Sequence, residues 1–262
     1  HVLSCILNSP PPGFKFHWKC KELRLTHLFF ADDVLLFCHG DRTSITHLMD
    51  SLTLFGSLSG LSASINKSTS FFCNCKPDLV DWFDLNFAMP RGLLPVKFLG
   101  VPLISSKLSV NDCVPLVDRI TSRIISWTAL LLSYMSRLRL IEVVLLSIQN
   151  FWTRHFVLPK CIHKRIQQIL TRFLWKGNIT DVGGAKVSWL NLCLPKEEGG
   201  LGLKKFTEWN QAQILFHLWS VVTQKNSLWS NWVNNSVLRG RSFWVIPVSY
   251  THLRAHETEL HL

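Results

Sequence analysis

Residues 25–37 read L-T-H-L-F-F-A-D-D-V-L-L-F, and this stretch decides the fold of the first part of the chain. Two short apolar runs meet at Asp32 and Asp33, and the junction leaves no room for a helix cap. Short apolar runs that flank a polar turn are typical of a β-hairpin. We therefore predict a hairpin that carries two neighbouring carboxylates at its tip.

Two carboxylates at an apolar tip repel each other unless something offsets their charge. Mg²⁺ prefers oxygen ligands, and it commonly binds one or two carboxylates together with substrate phosphates. Two such ions can stabilise both the attacking and the leaving oxygen of a phosphoryl transfer. The alternative is that Asp32 and Asp33 simply favour the turn, because Asp is common in turns. The dipeptide alone leaves both interpretations open.

The residues next to this hairpin predict loops before it and a helix after it. Residues 1–24 contain a cluster of Pro and Gly and are predicted to be rich in loops. Apolar residues recur at helical spacing over residues 45–55. Asp41 or Thr43 can cap the start of this helix, and Gly60 is expected to end it.

Two further β elements are expected before residue 108. Residues 69–74 are predicted to form a strand, and residues 96–104 a second hairpin that turns at Gly100. The first part of the chain, residues 1–108, is therefore predicted to combine β-hairpins with a helix, an α+β arrangement.

The chain from residue 109 onward is predicted to be mostly helical. Three successive apolar stripes occur at helical spacing, and Pro159 separates the second helix from the third. Residues 187–194 predict a strand, residues 199–202 a tight turn, and residues 210–222 another helix. The stripes comprise Leu116, Ile120, Ile124, Trp127 and Leu131; Leu138, Ile141, Leu145, Ile148 and Trp152; and Ile162, Ile166, Ile169 and Phe173.

Positive charge is concentrated in this helical part. The whole chain of 262 residues has 28 basic and 17 acidic side chains, a net charge of +11. Residues 1–108 hold 10 basic and 8 acidic side chains, whereas residues 109–247 hold 17 and 7. A polycation favours nucleic acid or an anionic membrane surface as a partner. Because charged residues interrupt every long apolar run, we predict no membrane span.

The third helix carries cations away from its apolar stripe. A helix with one face in the core and cations on the remaining arc can follow a phosphate backbone without reading its sequence. The alternative is an ordinary solvated face. Most of the 11 Trp residues are predicted to be core, although Trp can also stack on bases. The predicted nucleic-acid-binding residues of this helix are Lys164, Arg165, Arg172 and Lys176, with Lys160 on the same arc.

Several short motifs follow one another over residues 20–246. The tetrapeptide Phe-Ala-Asp-Asp at residues 30–33 comes first. The others are F-G-S-L-S-G-L-S-A-S-I-N-K-S-T-S-F-F (55–72), F-L-G-V-P-L (98–103), I-S-W (125–127), F-L-W-K-G (173–177), A-K-V-S-W (185–189) and C-L-P-K-E-E-G-G-L-G (193–202). In this order they resemble the reverse transcriptase of non-LTR (LINE-type) retrotransposons, particularly those of plants.

The resemblance implies a fold and a domain organisation. Residues 1–108 would be the C-terminal part of a polymerase palm, and residues 109–180 a helical thumb. Residues 181–247 would be a connector after the thumb. Residues 248–258, V-S-Y-T-H-L-R-A-H-E-T, resemble the translated read-through of a sequencing-library adapter. Residues 248–262 are therefore predicted to be an artefact without a biological role.

The resemblance also implies site residues and partners. Asp32 and Asp33 would bind two catalytic Mg²⁺ ions, and Lys67 would lie near the phosphates of the incoming nucleotide. Phe98, Leu99 and Gly100 would form the primer grip. The partners would be an RNA template, a DNA primer and deoxynucleotide triphosphates, in an intracellular and specifically nuclear setting.

The family's first palm Asp, its fingers and its endonuclease do not precede Asp32, so we expect a C-terminal fragment that is inactive alone. Ser64 also stands where the family usually has Asn. Two alternatives stay open: a non-catalytic basic remnant that binds nucleic acid, and a relic without a stable fold.

Overall fold

The structure, a computed structural model, describes residues 2–93, 95–104, 107–128, 132–180 and 185–245. These residues form helices and two small antiparallel hairpins. They divide into two compact units, of which one combines parts of residues 1–94 and 220–262 and the other lies within residues 95–219. Within the described ranges, no helix is both long enough and apolar enough to cross a bilayer.

The helices and strands are numbered in chain order. Two π-helical turns, at Ile141–Leu145 and Val233–Leu238, continue the helices that precede them. The elements are α1 (Val2–Leu7), β1 (His27–Phe30), β2 (Asp33–Leu36), α2 (Arg42–Ser59), α3 (Pro77–Phe87), β3 (Val96–Phe98), β4 (Val101–Leu103), α4 (Val114–Thr128), α5 (Tyr134–Leu140), α6 (Leu146–Thr153), α7 (Lys160–Lys176), α8 (Trp189–Leu192), α9 (Phe206–Val222) and α10 (Leu228–Trp232).

The predicted hairpin at residues 25–37 is confirmed. Strands β1 and β2 pair antiparallel, and Phe30 lies opposite Asp33 at the closed end. Ala31 and Asp32 form the two-residue turn. Ala31 has a φ of 51°, which is left-handed backbone that costs a residue with a Cβ about 1–2 kcal/mol. The turn therefore holds a strained alanine directly before the two carboxylates.

The helix predicted after this hairpin is α2, and both of its ends lie where the sequence placed them. The side chain of Asp41 accepts a hydrogen bond from the Ser44 N–H at 3.0 Å, as an N-cap residue does. Gly60 ends the helix with a φ of 71°. Leu48 of α2 packs with Leu3 and Leu7 of α1 in a small core.

Residues 1–24 are rich in loops as predicted, although the apolar run at their start forms the short helix α1, whose Leu3 and Leu7 are buried. Two other predictions for local structure are wrong. Residues 69–74 do not form a strand, since within the described chain only Ser70 bridges another segment, at Arg91. Residues 187–194 contain α8 instead of a strand.

Helix α8 forms because its first residues satisfy helical rules. The side chain of Ser188 accepts a hydrogen bond from the Asn191 N–H at 3.3 Å. Trp189 and Leu192, three residues apart, are both buried. Helix α3 was not predicted at all, although Pro77 occupies its first turn and Leu79 and Phe83 are buried on one side.

The second unit has one core formed by the predicted helical stripes. Helices α4 to α7 contribute their stripes, and α8 and the start of α9 close the core. The β3–β4 hairpin belongs to this unit, so the predicted domain boundary at residues 108/109 falls inside it. Leu131 and the proposed artefact, residues 248–262, lie outside the described residues. Fully buried stripe residues include Leu116, Ile120, Ile124, Ile141, Leu145, Ile162, Ile166 and Phe173.

Candidate nucleic-acid interface

Helix α7 is an amphipathic helix whose charged side chains are all basic. Its buried side includes Ile162, Ile166 and Phe173. Gly177 ends the helix with a φ of 77°, and its N–H donates to the Phe173 carbonyl at 2.9 Å. The helix has five cations and no Asp or Glu, and in the described part of the chain none of the five forms an ion pair.

The four predicted nucleic-acid-binding residues all lie on the side of α7 that faces away from the core. Lys164, Arg165 and Lys176 are exposed. Arg172 is half-buried, and its Nη1 donates to the carbonyl of Ile179 at 3.4 Å. One hydrogen bond leaves most of the five N–H donors of a guanidinium for other partners.

A groove of about 420 Å³ runs beside the C-terminal half of α7. Arg172 and Lys176 line it, whereas Lys164 and Arg165 are not among its lining residues. The structure thus brings together two of the four predicted cations at one concave site. The other lining residues are Gln167, Gln168, Thr171, Trp175, Ala185, Val187, Ser188 and Trp189, and among the residues that the structure describes no acidic side chain lines the groove.

Two tryptophans give this groove its aromatic character. Trp175 is half-buried and packs against Tyr134, with ring centroids 5.4 Å apart. Trp189 is 4% exposed and packs against Phe206, with ring centroids 5.2 Å apart. The indole Nε1 atoms of both tryptophans are buried and have no hydrogen-bond partner within the described residues. The groove therefore combines two cations with aromatic side chains that are held in place by their neighbours.

Sequence reasoning missed the aromatic part of this site. It assigned most tryptophans to the core, and Trp189 is indeed buried. Each residue of a helix advances by 100° around its axis, so Trp175 lies on the side of α7 opposite Ile166 and Phe173. An aromatic residue off the apolar stripe, beside Lys176, was the signal that could have found it.

The structure places the two predicted catalytic carboxylates at the exposed closed end of the first hairpin. Neither the Asp32 nor the Asp33 carboxylate makes a hydrogen bond or an ion pair to another described residue. Lys67 is exposed in the short turn Ile65–Lys67 and pairs with neither carboxylate. In the described ranges no three His, Cys, Asp or Glu side chains gather in a group that could hold a metal ion. Because Mg²⁺ commonly binds one or two carboxylates together with substrate phosphates, the assignment of Asp32 and Asp33 as its ligands stays a prediction.

The residues predicted as a primer grip form the closed end of the β3–β4 hairpin. Phe98 lies opposite Val101, and Leu99 and Gly100 make the turn with φ values of 53° and 81°. This turn, with two residues in the left-handed region, is a common way to close a two-residue hairpin. The hairpin thus occurs as predicted, while its role at a primer stays a prediction.

Comparison with known proteins finds a curated relative but no matching family model. No protein-family model matches the chain. A protein of Arabidopsis thaliana that is provisionally named a ribonuclease H protein is 30% identical over 150 residues. The match covers 56% of this chain and 24% of the relative. The chain therefore spans about a quarter of the length of the curated relative that it matches.

This relative corrects the function that the motifs implied. Its name refers to ribonuclease H and not to a reverse transcriptase or a retrotransposon. The assignment of the chain to a LINE-type reverse transcriptase is therefore wrong by this comparison, and so is RNA-directed DNA polymerase as its activity. A primer and deoxynucleotides as partners find no support in it either. The alternative of a non-catalytic remnant fares no better.

Proposed function

We propose that this chain is part of a ribonuclease H-like, nucleic-acid-processing protein, and that its helical unit binds nucleic acid through α7. The observation that carries this proposal is the set of unpaired cations on the solvent side of that helix. The name of the relative supports the class of partner, since a ribonuclease acts on nucleic acid. The proposal concerns binding, and it assigns no hydrolytic step to residues of this chain.

The spacing of the cations suits an extended polyanion. Arg165 and Lys176 are eleven residues apart, which corresponds to about 16 Å along a helix axis. Duplex nucleic acid carries one charge for roughly every 1.7 Å of its axis, so this length spans several phosphates. Because the buried side of α7 is held by the core, the cations are presented on a rigid element. Rigid presentation lowers the entropic cost of binding.

Lys164 and Arg165 are the residues to test first, because both are exposed and neither lines the groove. The experiment measures binding of the full 262-residue chain to a fluorescein-labelled 20-base-pair RNA–DNA hybrid by anisotropy, between 50 and 200 mM salt. Each phosphate contact contributes roughly −0.9 to the slope of log K against log salt. The slope for the double variant Lys164→Ala/Arg165→Ala should therefore be shallower than the wild-type slope by about two units. The double variant should also bind more weakly than the wild type at every salt concentration.

Arg139→Ala is the matched control. Arg139 is also a helical arginine of the second unit, but it pairs with Glu142 at 2.8 Å. The Arg139→Ala variant should retain the wild-type affinity within about twofold, because the charge of Arg139 is exposed and already paired with Glu142. Absence of salt-dependent binding by the wild-type chain would overturn the proposal, as would an unchanged slope in the double variant.

A further inference from the structure

The groove beside α7 has features that are not needed for binding a phosphate backbone through separate cations on a helix. A simple backbone-tracking face requires exposed charge only, and Lys164 and Arg165 already supply it. The groove adds a concave shape and a half-buried Trp175, and Trp189, which is 4% exposed, lies among its lining residues. These features indicate that the groove binds one specific chemical group of a ligand.

The chemistry of the lining defines that group. Arg172 and Lys176 favour an anion, and none of the described lining residues is acidic. Trp175 and Val187 favour a flat apolar surface, whereas Gln167 and Gln168 can both donate and accept hydrogen bonds. A phosphate joined to a heteroaromatic base has all three properties. The volume of about 420 Å³ falls within the 300–1,000 Å³ that is usual for small-ligand sites.

We propose that this groove holds one unpaired nucleotide of a nucleic-acid strand, with its base against Trp175 and its phosphate at Arg172 and Lys176. This inference rests on the proposed function and goes further, because it names single-stranded nucleic acid as the preferred substrate class. A base inside a duplex is stacked on both faces, so it reaches an aromatic side chain only after it is unstacked. An unpaired base stacks on Trp without this cost.

The test compares two ligands and two substitutions at one residue. The ligands are a 12-nucleotide oligouridine and a blunt 12-base-pair RNA–DNA hybrid, each bound to the full chain at one fixed salt concentration. Trp175→Leu keeps an apolar side chain but removes the aromatic face, and Trp175→Phe keeps that face. Trp175→Leu should weaken oligouridine binding by about 5- to 150-fold, the range for one stacked base. Its effect on the hybrid should be within twofold, and Trp175→Phe should retain most of the affinity.

Two additional measurements separate stacking from loss of structure. Trp18→Leu removes a tryptophan that is 72% exposed in the other unit, and it should leave the affinity for both ligands unchanged.

An oligonucleotide with one 2-aminopurine base reports stacking through quenching of its fluorescence. The wild-type chain should quench this base, whereas Trp175→Leu should not. Thermal melts monitored by circular dichroism show whether each variant is folded, and Arg172→Gln provides a second substitution if Trp175→Leu unfolds.

The outcomes distinguish this inference from the function on which it rests. If the wild-type chain binds neither ligand, the proposed function fails, and the groove assignment fails with it. If both ligands bind with equal affinity and Trp175→Leu weakens neither, the helical cations bind nucleic acid and the groove assignment alone is overturned. Selective loss of oligouridine binding and of quenching in folded Trp175→Leu would support the groove.

Discussion

The side-chain Oδ1 of Asn210 accepts a hydrogen bond from the backbone N–H of Leu158 at 2.9 Å. The Nδ2 of the same amide donates to the carbonyls of Thr153 and Phe156, each at 2.8 Å. Asn210 is 2% exposed, so one buried side chain satisfies three backbone groups in the connection between α6 and α7. This connection sets where α7, and therefore the groove, begins.

Replacing Asn210 with alanine should destabilise the chain by about 2–4 kcal/mol, because three buried backbone groups lose their partners. Urea unfolding followed by circular dichroism measures this change. Asn191→Ala is a suitable control, since the Asn191 side chain is exposed and makes no hydrogen bond to the described residues. A free energy of unfolding for Asn210→Ala within 0.5 kcal/mol of the control would show that the amide contributes little.

Elements that depend on neighbouring residues were predictable from the sequence. The hairpin at residues 25–37 follows from two apolar runs around a turn, and α2 follows from a cap at Asp41 and a left-handed Gly60. The apolar stripe at residues 162–173 also correctly predicted which side of α7 is buried. In each case the decisive residues lie within a single helix or a single hairpin, where local rules apply.

Features that depend on distant residues were not predictable in the same way. The groove needs Trp189 beside Trp175, and only the packed core brings α8 against α7. Asn210 appears from the sequence as one polar residue in an apolar helix, and its three partners lie 52 to 57 residues earlier. The strand predicted at residues 69–74 failed for the same reason, because a strand needs a partner that the local pattern does not provide.

Arg137 is expected to stabilise the C-terminal end of α7. Its Nη1 donates to the Phe173 carbonyl at 3.3 Å, which is one of the carbonyls near the helix end. Arg137→Met keeps the aliphatic volume and removes the charge, and it should lower the free energy of unfolding by about 1 kcal/mol. The control is Arg139→Met, because Arg139 is 73% exposed and should contribute less than about 0.5 kcal/mol. Equal losses in urea unfolding would contradict a specific role for Arg137.

The strained turn at Ala31 predicts a stabilising substitution. Ala31→Gly relieves the left-handed strain but adds freedom to the unfolded chain, so the net gain should be about 0.5–1 kcal/mol. The expected result is a higher urea midpoint with an unchanged slope. Ala63→Gly, at an exposed position without positive φ, should bring no gain. If both variants behave alike, the turn does not store strain.

Alkylation should discriminate among the cysteines. Burial raises the pKa of the Cys38 thiol to about 12, and burial raises the pKa of Cys113, which is 0% exposed, to about 11. Because the thiolate is the nucleophile, iodoacetamide at pH 8 should modify exposed Cys73 at least tenfold faster than either. Peptide mass spectrometry after timed quenching measures this order. In urea the three rates should converge, and similar rates in the native chain would contradict the raised pKa values of the Cys38 and Cys113 thiols.

His163 on α7 predicts a pH dependence of stability with a defined sign. The ring is 5% exposed and stacks on Phe206, and burial lowers the pKa of this histidine below its ordinary 6.5. Between the lowered pKa and about 6.5, the unfolded chain binds a proton at this residue that the native chain does not. The stability that the neutral, buried His163 contributes is therefore complete above pH 6.5 and is lost as the pH falls towards the lowered pKa.

His163→Phe removes this titration and keeps an aromatic ring. Its free energy of unfolding should fall less steeply than that of the wild type between pH 6.5 and 5, by up to about 1.4 kcal/mol per pH unit. Because the two proteins differ at this residue alone, parallel stability curves would show that folding does not lower the pKa of His163.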